Sequence, residues 1–311
     1  SAGRFCRPFS ARFAKERNSN YANQREVRTL NYKITADSTC DLSPELLEQY
    51  GLGLTPLYVQ LGEKTYRDGV DIFPDDIYAH VANGGDLATT AAVNLADYVR
   101  LFSDLSRKYD FVIHICISSD FSCCYQNAKL AAEEIGGIYV VDSRTLSSGI
   151  GHLAIEAAIM AQDETKTGQE IFDYVTSLVD RLNVSFVINS VNYLYKGGRC
   201  SGVAAVGANL LKLKPLIEVH SGKMDMAGKY RGNMKDVVKK YILDRLTLPD
   251  IKFKRDRIFV TCTCTDYDLP NYAKEIVESL GLFDEVLITI AGSTVTSHCG
   301  KDTLGILYIM A

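Results

Sequence analysis

The sequence predicts an α/β protein in which an N-terminal parallel-sheet α/β domain precedes a C-terminal α/β domain with a mixed sheet. Three observations carry this. Continuous apolar runs, Phe111 to Ile117 (FVIHICI) and Ile138 to Val141 (IYVV), read as strands buried on both faces and alternate with amphipathic helical stretches. Each run ends in a polar loop rich in Asp, Ser and Thr. After Thr167 the alternation stops, and further strand candidates follow in irregular order. The 311 residues suffice for two domains, and 47% hydrophobic with 23% charged is globular composition.

Taken in order, Tyr32 to Ala36 predicts a first strand, and Ser43-Pro44 a helix start, because the hydroxyl caps and proline suits the first turn. Leu95, Tyr98, Val99, Phe102 and Leu105 share one helical stripe ahead of the Phe111 strand. A helix over 125–135 and the Ile138 strand complete the parallel unit. Thr167 and Glu170 form a T-x-x-E capping box that opens a helix running to about Leu182. Beyond it, strands are expected at 185–190, 215–220, after the Ser221-Gly222 turn, and at 258–263, 285–290 and 304–310, with helices at 233–246 and 270–280. The organisation is therefore a basic extension at 1–30, a parallel α/β domain at 31–165 and a second α/β domain at 166–311.

Formal net charge is −4, but seven Arg or Lys against Glu16 and Glu26 in residues 1–30 leave the remainder at −9. An acidic body repels phosphates and the arm lacks a dense basic cluster, so no nucleic-acid partner is expected. The sequence starts without Met, so the arm is set aside in reasoning about the fold, as an added or extended start or a docking helix. No apolar run reaches the roughly 18 residues of a membrane span, and the start has too little apolar length for a signal peptide. A cytoplasmic protein without stable membrane insertion is expected. Nine cysteines at irregular spacings, without C-x-x-C, read as reduced thiols. Cys262 and Cys264 fall on one face of a strand and are expected to be small core residues rather than zinc ligands.

Function is sought where the strands of a parallel sheet end, since open α/β folds bind ligands at that edge. Asp37-Ser38-Thr39, Ser118-Ser119-Asp120 and Asp142-Ser143 all follow strands. Any one of these loops is explained by helix capping or Asx turns. Together with Thr89-Thr90 and Ser122 they make an anion-binding cluster a competing explanation. Cationic residues nearby are few: Arg144, and Lys196 and Arg199 within YLYKGGRC, whose glycines allow a tight backbone turn. A carboxylate held by hydroxyls fits this better than a triphosphate. The sequence contains no Walker A loop, no G-x-S-x-G elbow and no H-E-x-x-H. The Gly149-Ile150-Gly151 stretch is a weak dinucleotide fingerprint, because a polar loop separates it from its strand.

The segments DSTCDLS (37–43), ATTAAVN (88–94), ISSDFSCCYQNA (117–128), VDSRTLSSGIG (141–151), YLYKGGRCSG (193–202), LLKLKP (210–215) and TSHCG (296–300) follow one another in an order that resembles the DegV family of bacterial fatty-acid-binding proteins. The resemblance runs from about residue 31 to 311. It implies a long-chain fatty acid as ligand, no cofactor, and a carboxylate held between the two domains with the tail inside the protein. It also implies that the chain is a lipid-binding subunit rather than a complete enzyme, presenting the carboxylate to an ATP-dependent fatty acid kinase subunit that makes an acyl phosphate. On this sequence the family's carboxylate-binding threonine falls on Thr90 beside Thr89, its serine pair on Ser118 and Ser119, and its late histidine on His298. Ser122 follows in the same motif, Arg199 is the arginine of the G-G-R turn, and Ser38 completes the expected ligand-binding set. The family's T-S-x-P is Thr90-Ala91-Ala92-Val93 here and its S-G-T-Y is Ser122-Cys123-Cys124-Tyr125, so chain-length preference does not transfer from relatives. Two rival functions compete: a self-sufficient kinase or transferase using Ser119 or Asp142 with a nucleotide at the Lys196–Arg199 glycine turn, and a hydrolase built on Ser119 or Cys123 with His298.

Overall fold

The computed structural model describes residues 30–200, 213–264 and 266–311. The expected extension at 1–30 lies almost wholly outside the described residues, as do positions 201–202 and 210–212 of two of the motifs.

The first layer is the predicted parallel sheet. Strands β1 (Tyr32–Asp37), β2 (Gly53–Thr55), β6 (Phe111–Cys116) and β7 (Ile138–Asp142) lie in the order β2-β1-β6-β7, every pair parallel. All six residues of β6 are buried, which is why its sequence shows no alternation. Helix α1 (Pro44–Gln49) is capped by Ser43, whose Oγ accepts the Leu46 N–H. Helices α3 (Leu95–Ser106) and α4 (Cys124–Ile135) pack on each other and on β6. The α3 stripe buries Tyr98 and Phe102 completely.

A small antiparallel sheet that no periodic pattern in the sequence marks follows β2. It consists of β3 (Tyr58–Leu61), β4 (Lys64–Arg67) and β5 (Thr89–Ala91) in the order β4-β3-β5, with α2 (Pro74–Ala82) between β4 and β5.

The second large sheet is mixed, as expected. Its order is β10-β9-β8-β13-β11-β12, from β8 (Leu182–Val187), β9 (Leu213–His220), β10 (Lys223–Arg231), β11 (Phe253–Cys262), β12 (Glu285–Ile290) and β13 (Leu304–Met310). Only β11 and β12 pair in parallel. The capping-box helix α6 (Gly168–Val179) ends three residues before β8 begins, so the strand expected at 185–190 starts earlier, at Leu182. Although α6 follows residue 166, it packs on β6 and β7 of the first sheet. Short α7 (Asn192–Gly197), α8 (Met234–Leu246), α9 (Asp268–Ser279) and α10 (Ser293–Cys299) complete the described elements.

The two large sheets meet across α5 (Ser148–Ala161), which contacts β1 and β6 on one side and β8 and β13 on the other. Twelve of its fourteen residues are buried, because the helix is covered by a sheet on each side. Its glycines serve packing: a Cβ on Gly151 would lie 2.6 Å from Leu42 Cδ2, and one on Gly149 2.8 Å from Thr145 Oγ1. Glu156 on the same helix, 3% exposed, accepts from Arg257 at 2.9 Å, Lys254 at 3.0 Å and Tyr174 Oη at 2.7 Å, which joins α5, α6 and β11 by one buried ionic knot.

Candidate functional site

A cavity opens where the small sheet, the end of β6 and helix α10 converge. It is lined by Thr90, Ser122, Arg199 and His298 on its polar side and by Leu57, Ile117, Phe121, Leu146, Met224 and Val295 on its apolar side. It holds about 510 Å³ of empty space, part of it open to solvent. Residues 208 positions apart meet here: Thr90 Oγ1 lies 2.7 Å from His298 Nε2. Gly197 lets α7 approach closely, since a Cβ there would stand 2.4 Å from His298 Nδ1. Gly198, with φ of +65°, then ends α7 in the left-handed region that glycine adopts without strain. The Lys196–Arg199 glycine turn is thus a helix C-cap that seats the imidazole.

Burial, with a smaller contribution from the nearby Arg199 guanidinium, pushes the His298 imidazole down to about 4, so the ring is neutral at pH 7. A neutral ring offers one N–H donor and one acceptor. Its Nδ1 is buried without a hydrogen-bond partner among the described residues. Arg199 is itself exposed, with Nη1 donating to the Gly197 carbonyl at 2.6 Å.

Behind this chamber, and sharing Leu146, Val295 and Cys299 with it, lies a second, narrow cavity between α5, α10 and the mixed sheet, with about 360 Å³ of empty space, part of it open to solvent. Val184, Phe186, Ala291 and Leu307 line it together with Ser147, Thr261, Thr263 and Thr303. Those hydroxyls are engaged elsewhere. Ser147 donates to Asp41 at 2.5 Å, Thr263 to the Gly300 carbonyl at 2.5 Å and Thr303 to the Cys299 carbonyl at 3.0 Å, while Thr261 shares a buried ring with Ser148 and Thr289. The inner chamber is apolar in effect; Gly305 on its wall lets β13 lie close to β8, since an added Cβ would stand 2.7 Å from the Ser185 carbonyl. On the outer side of Thr90 and His298 is an open recess lined by Thr89, Tyr193, Lys196, Arg199 and Ser297.

The expected ligand set therefore divides. Thr90, Ser122, Arg199 and His298 surround one cavity, and exposed Thr89 lines the recess beside it. Ser38, Ser118 and Ser119 do not join them. Ser38 Oγ donates to Asp68 at 2.8 Å and accepts the Leu57 N–H at 3.1 Å. Ser118 is buried and donates to the Gly222 carbonyl at 2.9 Å, holding the β9–β10 turn against the first sheet; Arg144 donates to Ser221 there as well. The Ser119 N–H donates to Asp142 at 3.1 Å, outside the cavity lining. The serines of the first two strand-end loops are thus taken up by contacts to other elements, Ser38 by Asp68 after β4 and Ser118 by the β9–β10 turn.

Two residues escaped sequence reading. Asp41 and Asp68, 6% and 2% exposed, receive the first N–H groups of α10, at 2.8 Å from Gly292 and 2.8 Å from Ser293. Their partners lie 251 and 225 positions away, beyond any local motif. Burial pushes the Asp41 carboxyl up to about 8, against the Ser147 and Gly292 hydrogen bonds, which lower it. Cys262 and Cys264 are buried and free, as small core residues are. Among the described residues one trio of side chains has metal-ligating atoms close together, Asp37, His114 and Cys116, all buried. Asp37 already accepts from Tyr98 Oη at 2.7 Å and the Ile117 N–H at 2.9 Å, and His114 Nδ1 lies 2.9 Å from Thr35 Oγ1. Among the described residues no helix is long and apolar enough to cross a membrane.

Comparison with known proteins agrees with this architecture. A DegV domain-containing protein of Caldanaerobacter subterraneus is 30% identical over 280 residues, covering 88% of this chain and 97% of its own length. A solved structure described as fatty acid binding of a DegV family protein from Thermus thermophilus superposes with a TM-score of 0.83 at 28% identity, covering 91% of this chain and 100% of the other. A stearic acid-binding protein from Eubacterium ventriosum gives a TM-score of 0.76 at 26% identity, over 90% and 98% of the two chains. The family described as uncharacterised protein, DegV family, matches residues 31–311, and this chain belongs to it.

Proposed function

We propose that the chain binds a long-chain fatty acid, with the carboxylate among Thr90, Ser122, His298 and Arg199 and the tail in the apolar inner chamber. The observation that carries this reading is the Thr90–His298 pair standing where a polar mouth gives way to a chamber whose hydroxyls are all engaged elsewhere. Support also comes from solved relatives described as binding fatty acids. A tail of about 16 carbons, at about 0.8 kcal/mol per methylene, contributes on the order of 12 kcal/mol before binding entropy is subtracted. The tail supplies affinity. A carboxylate is costly to bury without partners, so the hydroxyls and the neutral imidazole orient it and keep it hydrogen-bonded.

In this reading the protein is a carrier, and the recess lined by Lys196 and Arg199 is the face from which an ATP-dependent fatty acid kinase subunit reaches the carboxylate to form the acyl phosphate. Native mass spectrometry of protein purified from bacteria tests the first part: a co-purified fatty acid is expected, and an empty or nucleotide-loaded protein refutes it. Calorimetry with ATP and magnesium tests the second, since a carrier binds no nucleotide without its partner.

A further inference from the structure

We propose that Asp41 and Asp68 are positioning residues that fix His298 against Thr90, an inference that rests on the carboxylate-site reading above. Helix α10 belongs to the second half of the chain, between β12 and β13, yet its N-terminus is received by two carboxylates of the first half. Asp41 Oδ1 accepts the Gly292 N–H and Asp68 Oδ1 the Ser293 N–H, while Ser293 Oγ donates to the Ile72 carbonyl at 3.1 Å. Their remaining oxygens are held too, by Ser147 Oγ on Asp41 and Ser38 Oγ on Asp68. Gly292 permits the approach: an added Cβ would sit 3.2 Å from Asp68 Oδ1 and 3.3 Å from Asp41 Oδ1.

The placement follows a closed path. Asp68 comes directly after β4; β4 pairs with β3, and β3 pairs with β5, where Thr90 stands opposite Val59. Asp68 therefore ties the helix carrying His298 to the same small sheet that carries Thr90. Asp41, at the end of the turn after β1, ties it to the first large sheet. A helix of seven residues has little stability of its own, so its direction depends on what holds its ends. Two carboxyl groups buried side by side are a poor device for stability alone, because an ionised carboxylate is costly to take out of water. Next to the positive end of a helix they are suited to fixing where that helix begins. Neither residue lines the cavity.

The test uses delipidated full-length protein with Asp68→Ala, Asp68→Asn and Ser38→Ala. Nitrogen-15 spectra of the histidine rings report the His298 tautomer and hydrogen bond without any ligand. Asp68→Ala is expected to shift the His298 signals, Asp68→Asn, which keeps a carbonyl oxygen for the Ser293 N–H, to restore them, and Ser38→Ala to move them less in the same direction. Titration with hexadecanoate and 1-hexadecanol supplies the second readout: Asp68→Ala should lower the preference for the acid roughly tenfold or more, with hexadecanol binding unchanged. Unmoved His298 signals in both Asp68→Ala and Ser38→Ala overturn the proposal, as does an equal weakening of both ligands. Should Asp68→Ala fail to fold, Ser38→Ala carries the test alone. A wild-type protein with no preference for the acid would defeat the carboxylate reading instead, and the ring spectra would still decide the positioning role.

Discussion

Replacing Thr90 by Val removes one hydroxyl and almost no volume, so it isolates the contact to His298 at 2.7 Å. The imidazole already has a buried Nδ1 without a partner among the described residues, and the substitution removes the partner of Nε2 as well. Losing the hydrogen bond costs about 1 kcal/mol, and leaving a buried ring nitrogen unsatisfied adds about 1–2 kcal/mol, so unfolding stability should fall by roughly 2–3 kcal/mol. In the liganded protein the carboxylate also loses a charge-assisted partner, about 1.5–3 kcal/mol, or roughly 10- to 150-fold in Kd. A double-mutant cycle with His298→Gln, read by urea denaturation and by hexadecanoate titration, measures the coupling directly. Coupling of about 1 kcal/mol or more is expected in both. Additivity within about 0.5 kcal/mol in both would refute the claim that the two side chains act as a unit.

Three further outcomes follow from the same geometry. Glu156→Ala leaves Arg257 buried without its counter-charge and should cost about 3–5 kcal/mol, seen as a large drop in Tm; a change under about 1 kcal/mol would mean the knot is not holding α5 between the sheets. Phe186→Ala enlarges the inner chamber and should shift the chain lengths of co-purified lipid upward by mass spectrometry, whereas an unchanged distribution places the tail elsewhere. Stability should peak near pH 6.5. Asp41, raised to about 8, contributes stability at low pH that is lost as pH rises toward 8, at up to about 1.4 kcal/mol per unit. His152 and His298, depressed by burial to about 3 and 4, contribute stability above their ordinary 6.5 that is lost on acidification, together outweighing Asp41 below that point. Urea midpoints that rise steadily from pH 6.5 to 8 would contradict this.

The parallel sheet was legible because β6 and β7 are short apolar runs between periodic helices, and the capping box at Thr167 and Glu170 formed as its spacing required. The small sheet was not. Its strands have three or four residues, and β4 (KTYR) is almost wholly exposed, so neither alternation nor apolar content marks it. Of the hydroxyls expected at one rim, Ser38 and Ser118 are engaged by Asp68 and by the Gly222 carbonyl, 30 and 104 positions away, partners that no local motif announces. What no local pattern encodes is the meeting of Thr90 with His298, or of Asp68 with Ser293, since each pair exists only once the small sheet has met helix α10, more than 200 positions away.

That the mouth draws Thr90 from the small sheet, Ser122 from the loop after β6, Met224 from β10 and His298 from α10 means that neither half of the chain owns a complete pocket. Occupancy and assembly are then linked equilibria. Any molecule lodged there adds RT ln(1 + [L]/Kd) to the free energy of keeping the layers docked, about 2.7 kcal/mol at a hundredfold excess over Kd. A filled protein should accordingly resist proteolysis at the seams between its layers, and emptying it should loosen those seams before either sheet melts.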